Sequence, residues 1–266
     1  MSQFDAFTDF RMHGHSAIVT GGAQNIGEAI ARSFSGAGAK VMIADLNGDK
    51  AKATAEKIAN DTGNEVLGMA CDVTKGEQID ACVATTAEAF GGISTLVNNV
   101  GWGKAYPDPL AVSAEEMVES YKLNTLAALN MTAACRPHLE QAANATVTNS
   151  GSLVGALPAF DFIAYSAAKA ALNHAMLGLA HYFAKKVRVN TVLIGTVITP
   201  GYAEAGLDQK VVDALSHPDN LTGRAGRPED VANAFLWLAS PAGSWVSGQT
   251  IQVSGGGKRV RLIPDE

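Results

Sequence analysis

No stretch of the 266-residue chain is long and apolar enough to span a bilayer, and the opening segment MSQFDAFTDFRMHGHS holds no apolar leader-like run. Cysteine is scarce. Cys71, Cys82 and Cys135 are odd in number and widely spaced, which fits reduced thiols in a cytoplasmic protein better than a disulfide framework. Positive charge is short too: 20 Lys and Arg against 26 Asp and Glu leave a net charge of −6. Phosphate-backbone binding needs clustered cations, so nucleic acid is excluded as a partner, and the one basic cluster, GKRVR at 257–261, reads as a solvated tail. No Pro/Ser-rich linker, low-complexity tract or repeat of 20–50 residues divides the chain. It therefore reads as one domain over 16–257, with an N-terminal extension at 1–15, a variable segment at 200–220 and a C-terminal tail at 258–266. No metal site is expected.

What remains is a globular composition, 47% hydrophobic and 17% charged, with 27 glycines. Short β-branched runs at 16–20, 40–45, 65–73, 95–100, 145–150, 188–194 and 250–254 alternate with helix-like stretches near 26–36, 48–60, 76–90, 113–140, 164–184 and 228–239. This alternation predicts an α/β fold: a doubly wound, Rossmann-type domain with a seven-stranded parallel sheet and helices on both faces. Its strands read as continuous apolar runs, as doubly buried strands do. Ligands bind such sheets beyond the carboxyl ends of the strands.

Two features fall at that edge. IVTGGAQNIGEAIA (18–31) follows the first strand and opens a helix, so Gly21, Gln24, Asn25, Ile26 and Gly27 are candidates to cradle a pyrophosphate. Asn25 tolerates a left-handed backbone better than most non-glycine residues. Asp45 ends the second strand, followed by Leu46. A carboxylate there can accept from the adenosine ribose hydroxyls and would repel a 2′-phosphate, which favours NAD over NADP; it could equally cap the helix that starts near Gly48.

AYSAAKAALNHAMLGLAHYFAKK (164–186) holds two Tyr-x-x-x-Lys pairs, Tyr165/Lys169 and Tyr182/Lys186. Residues four apart share a helix face. Tyr165 opens its helix at the ligand edge, whereas Tyr182 lies roughly 25 Å down the axis. Tyr165/Lys169 is thus the candidate for chemistry. A tyrosine with its ordinary pKa near 10 is a poor base at neutral pH, and the nearby ammonium of Lys169 and a nicotinamide cation would favour its phenolate.

The ordered series TGGAQNIG (20–27), Asp45, CDV (71–73), NNVG (98–101), Asn124, NSGS (149–152), YSAAK (165–169), IGTVIT (194–199), GRPEDVA (226–232) and SGQTIQVSGG (247–256) resembles the short-chain dehydrogenase/reductase family along nearly the whole chain. The resemblance implies hydride transfer between a nicotinamide cofactor and a secondary alcohol or ketone. It implies Ser152, rather than Ser150, as the serine that holds the substrate oxygen. It implies that Asn124 holds a water linking Lys169 to solvent, that Asp72 and Val73 contact adenine, and that Asn98, Gly101, Gly195, Val197 and Thr199 line the cofactor alongside Tyr165 and Lys169. It also implies a homotetramer. Asn25, Val100, Ile194 and Ser254 depart from the family pattern without removing a catalytic group.

Substrate-facing positions should be Trp102, Leu157, Phe160, Phe162, Tyr202 and Leu207, an apolar pocket for a bulky alcohol or ketone. The stretch 240–257 is similar to bacterial 7α-hydroxysteroid dehydrogenases, which suggests a hydroxysteroid. A 3-oxoacyl-carrier-protein reductase is the alternative enzyme, and an NAD-binding sensor or scaffold the non-enzymatic alternative.

Overall fold

The computed structural model describes residues 9–199 and 221–256. Seven strands form one parallel sheet: β1 (Ser16–Thr20), β2 (Lys40–Asp45), β3 (Val66–Ala70), β4 (Thr95–Asn98), β5 (Ala145–Ser152), β6 (Val187–Ile194) and β7 (Thr250–Val253), in the order β3-β2-β1-β4-β5-β6-β7. The order reverses between β1 and β4, so a crevice opens at their carboxyl ends.

The helices are α1 (Asn25–Gly36), α2 (Gly48–Thr62), α3 (Gly76–Phe90), α4 (Ala114–Tyr121), α5 (Ala127–Leu139), α6 (Ile163–Tyr182) and α7 (Pro228–Ala239). The two-residue period of the strands sorts their side chains into two cores. Val19, Val41 and Ile43 pack with Ile30 and Phe34 of α1, Ile58 of α2 and Phe235 of α7. Ile18, Met42, Leu96 and Val147 pack on the other face with Ile79 of α3, Met131 of α5 and Leu172 of α6. The three cysteines are free and buried in this second core.

β4 stops at Asn98 rather than at 100, and β5 runs on to Ser152 rather than stopping at 150. Two further differences bear on the site. β3 stops at Ala70, not 73, because the Asp72 carboxylate accepts from the Thr74 N–H at 2.9 Å and its hydroxyl at 2.7 Å, which turns the chain away from the sheet. The helix expected over 113–140 is interrupted by a π-helical turn at Lys122–Leu126. The Asn124 side chain donates to the Ser120 carbonyl at 3.0 Å. In an α-helix that carbonyl would belong to the Asn124 N–H, so the side chain displaces the regular register. Upstream, Ser113 and Glu116 close a capping box that starts α4 cleanly.

Candidate active site

The glycine loop joins β1 to α1. Gly21 has φ +61° and Asn25 φ +53°, so the asparagine occupies the left-handed position expected of it. A Cβ at Gly27 would lie 2.0 Å from the Gly21 carbonyl oxygen, so only glycine lets the helix start this close to the loop. Asp45 braces the loop: Oδ2 accepts from the Ala23 N–H at 3.1 Å and Oδ1 from the Asn47 N–H at 3.0 Å. The cap of α2 is Asn47, which accepts from the Lys50 N–H at 3.0 Å. Lys50 also reaches back to the Gln24 side chain across the rim. Leu46 is exposed beside this rim.

β4 ends in the pair Asn98–Asn99, and the two side chains part company. The Asn98 amide turns inward, donating to Asn149 at 2.8 Å and Thr132 at 3.2 Å beneath the floor. Asn99 faces the loop: its amide nitrogen donates to the carbonyls of Thr20 and Gly21, each at 3.2 Å. The side chain that faces the loop is thus Asn99, not the expected Asn98. Asp72 sits at the adjacent edge, its carboxyl held below the usual range by the Thr74 hydroxyl and N–H. Val73 points into the core.

Tyr165 and Lys169 lie one turn apart near the start of α6. Lys169 is 2% exposed, and its ammonium donates to the Ser150 carbonyl at 2.8 Å and stands 5.7 Å from the Tyr165 ring centroid. Burial lowers its pKa from 10.5 to about 8, so the ammonium still predominates at pH 7. The backbone after β4 wraps this pair. A Cβ at Gly101 would lie 2.6 Å from Lys169 Nζ and 2.9 Å from Asn124 Oδ1; one at Gly103 would lie 2.6 Å from Tyr165 Cγ. Gly103 is a second residue the sequence reading missed. Asn124 is buried and holds the Trp102 peptide at both ends, accepting from its N–H at 3.0 Å and donating to its carbonyl at 2.9 Å. Ser152, the last residue of β5, is half-buried and its hydroxyl has no hydrogen bond to a described residue. Ser150 is buried and donates to Asn99 Oδ1 at 2.9 Å.

Of the expected substrate-facing side chains, Phe162 meets the Tyr165 ring edge-on at 6.4 Å. Trp102 is 66% exposed and Phe160 73% exposed, with Leu157 also exposed. Tyr202 and Leu207 lie outside the described residues, as do the 200–220 segment, most of the 1–15 extension and the 258–266 tail. A groove of about 750 Å³ beside Trp102 and Tyr165 is more polar than expected, because Lys104 pairs with Glu116 at 2.8 Å and stands over the Tyr106 ring. On the far side of the crevice, Gly195 packs against Ser254, Val197 is buried in a bridge to Gly226, and Thr199 is half-buried. No group of three or more His, Cys, Asp or Glu among the described residues is placed to hold a metal.

This arrangement fits a dinucleotide. The close approach at Gly27 leaves the N-terminus of α1 bare for a pyrophosphate, and the crevice runs from there to a buried cation beside a phenol. A family model described as Enoyl-(Acyl carrier protein) reductase matches residues 21–258. A 7alpha-hydroxysteroid dehydrogenase of Escherichia coli (strain K12) is 31% identical over 250 residues, covering 94% of this chain and 96% of that protein. A 3-oxoacyl-[acyl-carrier-protein] reductase FabG of Chlamydia trachomatis serovar D is 30% identical over 246 residues, covering 91% and 96%. Among solved structures, a 7 alpha-hydroxysteroid dehydrogenase complexed with NADH and 7-oxo glycochenodeoxycholic acid superposes with a TM-score of 0.89 at 29% identity, covering 96% of this chain and 98% of that one.

Proposed function

The chain belongs to the short-chain dehydrogenase/reductase family, and we propose that it is an NAD-dependent oxidoreductase exchanging a hydride with a bulky secondary alcohol or ketone, a hydroxysteroid being the leading candidate. One observation carries the reading: a wholly buried ammonium, Lys169, one helical turn below the phenol of Tyr165.

The nicotinamide, when bound, supplies the hydride acceptor or donor. The protein's own work is proton transfer and positioning. Tyr165 takes the carbinol proton in oxidation and returns it to the carbonyl oxygen in reduction. Lys169 stabilises the phenolate by its charge and reaches the nicotinamide ribose. Ser152 donates its hydroxyl to the substrate oxygen. Asn124 fixes the Trp102 peptide over the pair, and a water bound there connects Lys169 to solvent protons. Gly21, Gln24, Asn25, Ile26 and Gly27 would hold the pyrophosphate; Asp45 and Leu46 the adenosine ribose; Asp72 and the backbone of Val73, whose side chain lies in the core, the adenine. Gly101, Gly195, Val197 and Thr199 would form the remaining wall, with Asn98 bracing the floor from beneath through Asn149 and Thr132. Phe162, Trp102, Leu157 and Phe160 offer the substrate an apolar surface.

The relative that acts as a 3-oxoacyl-carrier-protein reductase keeps that second reading in play. Asp45 and the net charge of −6 weigh against a phosphorylated cofactor and an acidic carrier. Absorbance assays with NAD and NADP across hydroxysteroids, simple secondary alcohols and a 3-oxoacyl thioester separate the readings. Turnover of hydroxysteroids with NAD supports the proposal. Binding of NAD without any turnover makes the chain a sensor or scaffold. Asp45→Ala should cut the NAD-over-NADP preference in kcat/KM about tenfold, and an unchanged ratio removes its discriminating role.

Exposed Met117, Val118 and Tyr121 on α4, Leu177 on α6 and the fully exposed Trp245 before β7 support a homotetramer, which light scattering tests. Three buried free thiols support a cytoplasmic setting.

A further inference from the structure

We propose that Asn99 and Ser150 form a positioning relay that couples the glycine loop to the ammonium of Lys169, so that the cofactor cradle and the proton-transfer pair adjust together. The inference rests on the oxidoreductase reading but concerns residues that the reading leaves without a role. β4 ends at Asn98, whereas β5 runs on to Ser152, so residues 150–152 pair only with β6. Their other edge is held by side chains instead of a ladder. Asn99 donates to the Thr20 and Gly21 carbonyls at 3.2 Å each, and its N–H donates to the Thr20 hydroxyl at 3.0 Å. Ser150 donates to Asn99 Oδ1 at 2.9 Å, and the Ser150 carbonyl accepts from Lys169 at 2.8 Å. Hydrogen bonds thus run from the loop through the Asn99 amide to the Ser150 hydroxyl and, across the Ser150 backbone, from its carbonyl to Lys169, so that Asn99 and Ser150 sit between the two ends.

Such a chain matters because Lys169 has little else to hold it charged. Its surroundings are the neutral groups of Asn124, Gly101 and Ser150, with Tyr165 as the titratable neighbour on its own helix. Among the described residues no carboxylate is hydrogen-bonded to it or paired with it. A displaced Ser150 carbonyl would therefore be felt directly in the protonation of Lys169. In the other direction, loss of the Ser150 hydroxyl leaves the half-buried Asn99 Oδ1 without its donor, and the amide that braces Gly21 is free to turn.

The test uses the full chain, titrated first without cofactor and then with NADH, and readouts independent of turnover. NMR of 13Cε-labelled lysine, with the Lys169 signal assigned by its loss in Lys169→Met, gives the protonation midpoint. NADH fluorescence gives the dissociation constant. Ser150→Ala should lower the Lys169 midpoint by about half a pH unit, a threefold change in the proton equilibrium, and weaken NADH about fivefold. Ser150→Thr, which keeps the hydroxyl, should restore both. Thr20→Val, which removes the hydroxyl that accepts from the Asn99 and Val100 N–H groups and donates to the Val97 carbonyl, perturbs the loop end without touching Lys169 and should move the midpoint in the same direction; it also serves if Ser150→Ala fails to fold. A folded Ser150→Ala or Thr20→Val protein in which neither quantity moves, or only the end nearest the substitution moves, overturns the relay. A lower Tm alone would make it a structural staple. Because the lysine is titrated in the free protein, failure of hydride transfer by the unmodified chain would sink the functional reading and leave this result standing.

Discussion

Tyr165/Lys169 and Tyr182/Lys186 have the same spacing and open and close the same region of chain. At the first pair the helix continues through both residues, so tyrosine and lysine share one face. Lys169 is buried and its ammonium is held by a backbone carbonyl. At the second, α6 ends at Tyr182, and Lys185 has φ +68°, so Lys186 follows a turn and not a helical face. Tyr182 is 59% exposed, packs edge-on against Phe183 at 5.2 Å and lies under the Arg136 guanidinium at 5.4 Å. Lys186 stands 4.0 Å from Glu140 in solvent. A four-residue spacing is a statement about geometry only while the helix lasts, and a lysine becomes an electrostatic tool only where water is excluded.

The comparison is broken most directly at Tyr165. Tyr165→Phe removes the proposed proton carrier and keeps the ring that packs on Gly103 and Phe162, so kcat should fall about 10³-fold or more with NADH binding nearly unchanged. Retention of even a tenth of the activity would move the acid/base elsewhere.

Lys169→Met comes next and separates activity from stability. The loss in kcat should be about 10²-fold. Stability should move the other way. The lysine titrates near 8 when folded, against 10.5 for an unburied lysine, so the unfolded chain holds more protons between those values. Its contribution to stability therefore rises as pH rises through that window and is lost as pH falls below it. At pH 7 the methionine variant escapes the cost of the buried ammonium, partly offset by the unpaired Ser150 carbonyl. A net gain of about 1 kcal/mol, or ~3 °C in Tm, is expected. The gain should shrink as pH is raised from 7 to 10, where the unmodified lysine sheds its proton. Thermal melts across that range check it; a methionine variant less stable at pH 7 than at pH 10, relative to the parent, contradicts the direction of the shift.

The placement of Tyr165/Lys169 near the helix start and of Tyr182/Lys186 at its far end was legible in the sequence, because it needed only element order and helix length. So were the parallel sheet, the left-handed Asn25 and the bounds of β1, β2, α3 and α7, where apolar runs end at glycine, proline or charge. The π turn was not, since it depends on one asparagine side chain capturing the Ser120 carbonyl in three dimensions. Nor was Asn99 distinguishable from Asn98: neighbours on a strand face opposite sides, and which side is floor and which is core is settled by how the sheet packs. The polar groove at Lys104 and Glu116 was hidden for a similar reason, because its partners are twelve residues apart across a loop. The lone apolar candidates around Trp102 said nothing about that ion pair.

The smallest expected effect is the sharpest control. Tyr182→Phe removes only a hydroxyl, from a ring whose contacts with Phe183 and Arg136 are made by its faces and edge. The cation–ring attraction of an exposed pair is about 0.5–1 kcal/mol and survives the change to phenylalanine. Lys186→Met removes one member of an exposed ion pair at the outer limit of contact, with a stability change within about 0.5 kcal/mol. Both variants should keep kcat and kcat/KM within about twofold of the parent and show no pH-dependent gain in Tm, because neither side chain is desolvated. A fall in kcat comparable to that of Tyr165→Phe, in either variant with an unchanged melting curve, would mean that the amino end of the sheet takes part in the chemistry and that burial at Lys169 is incidental to it.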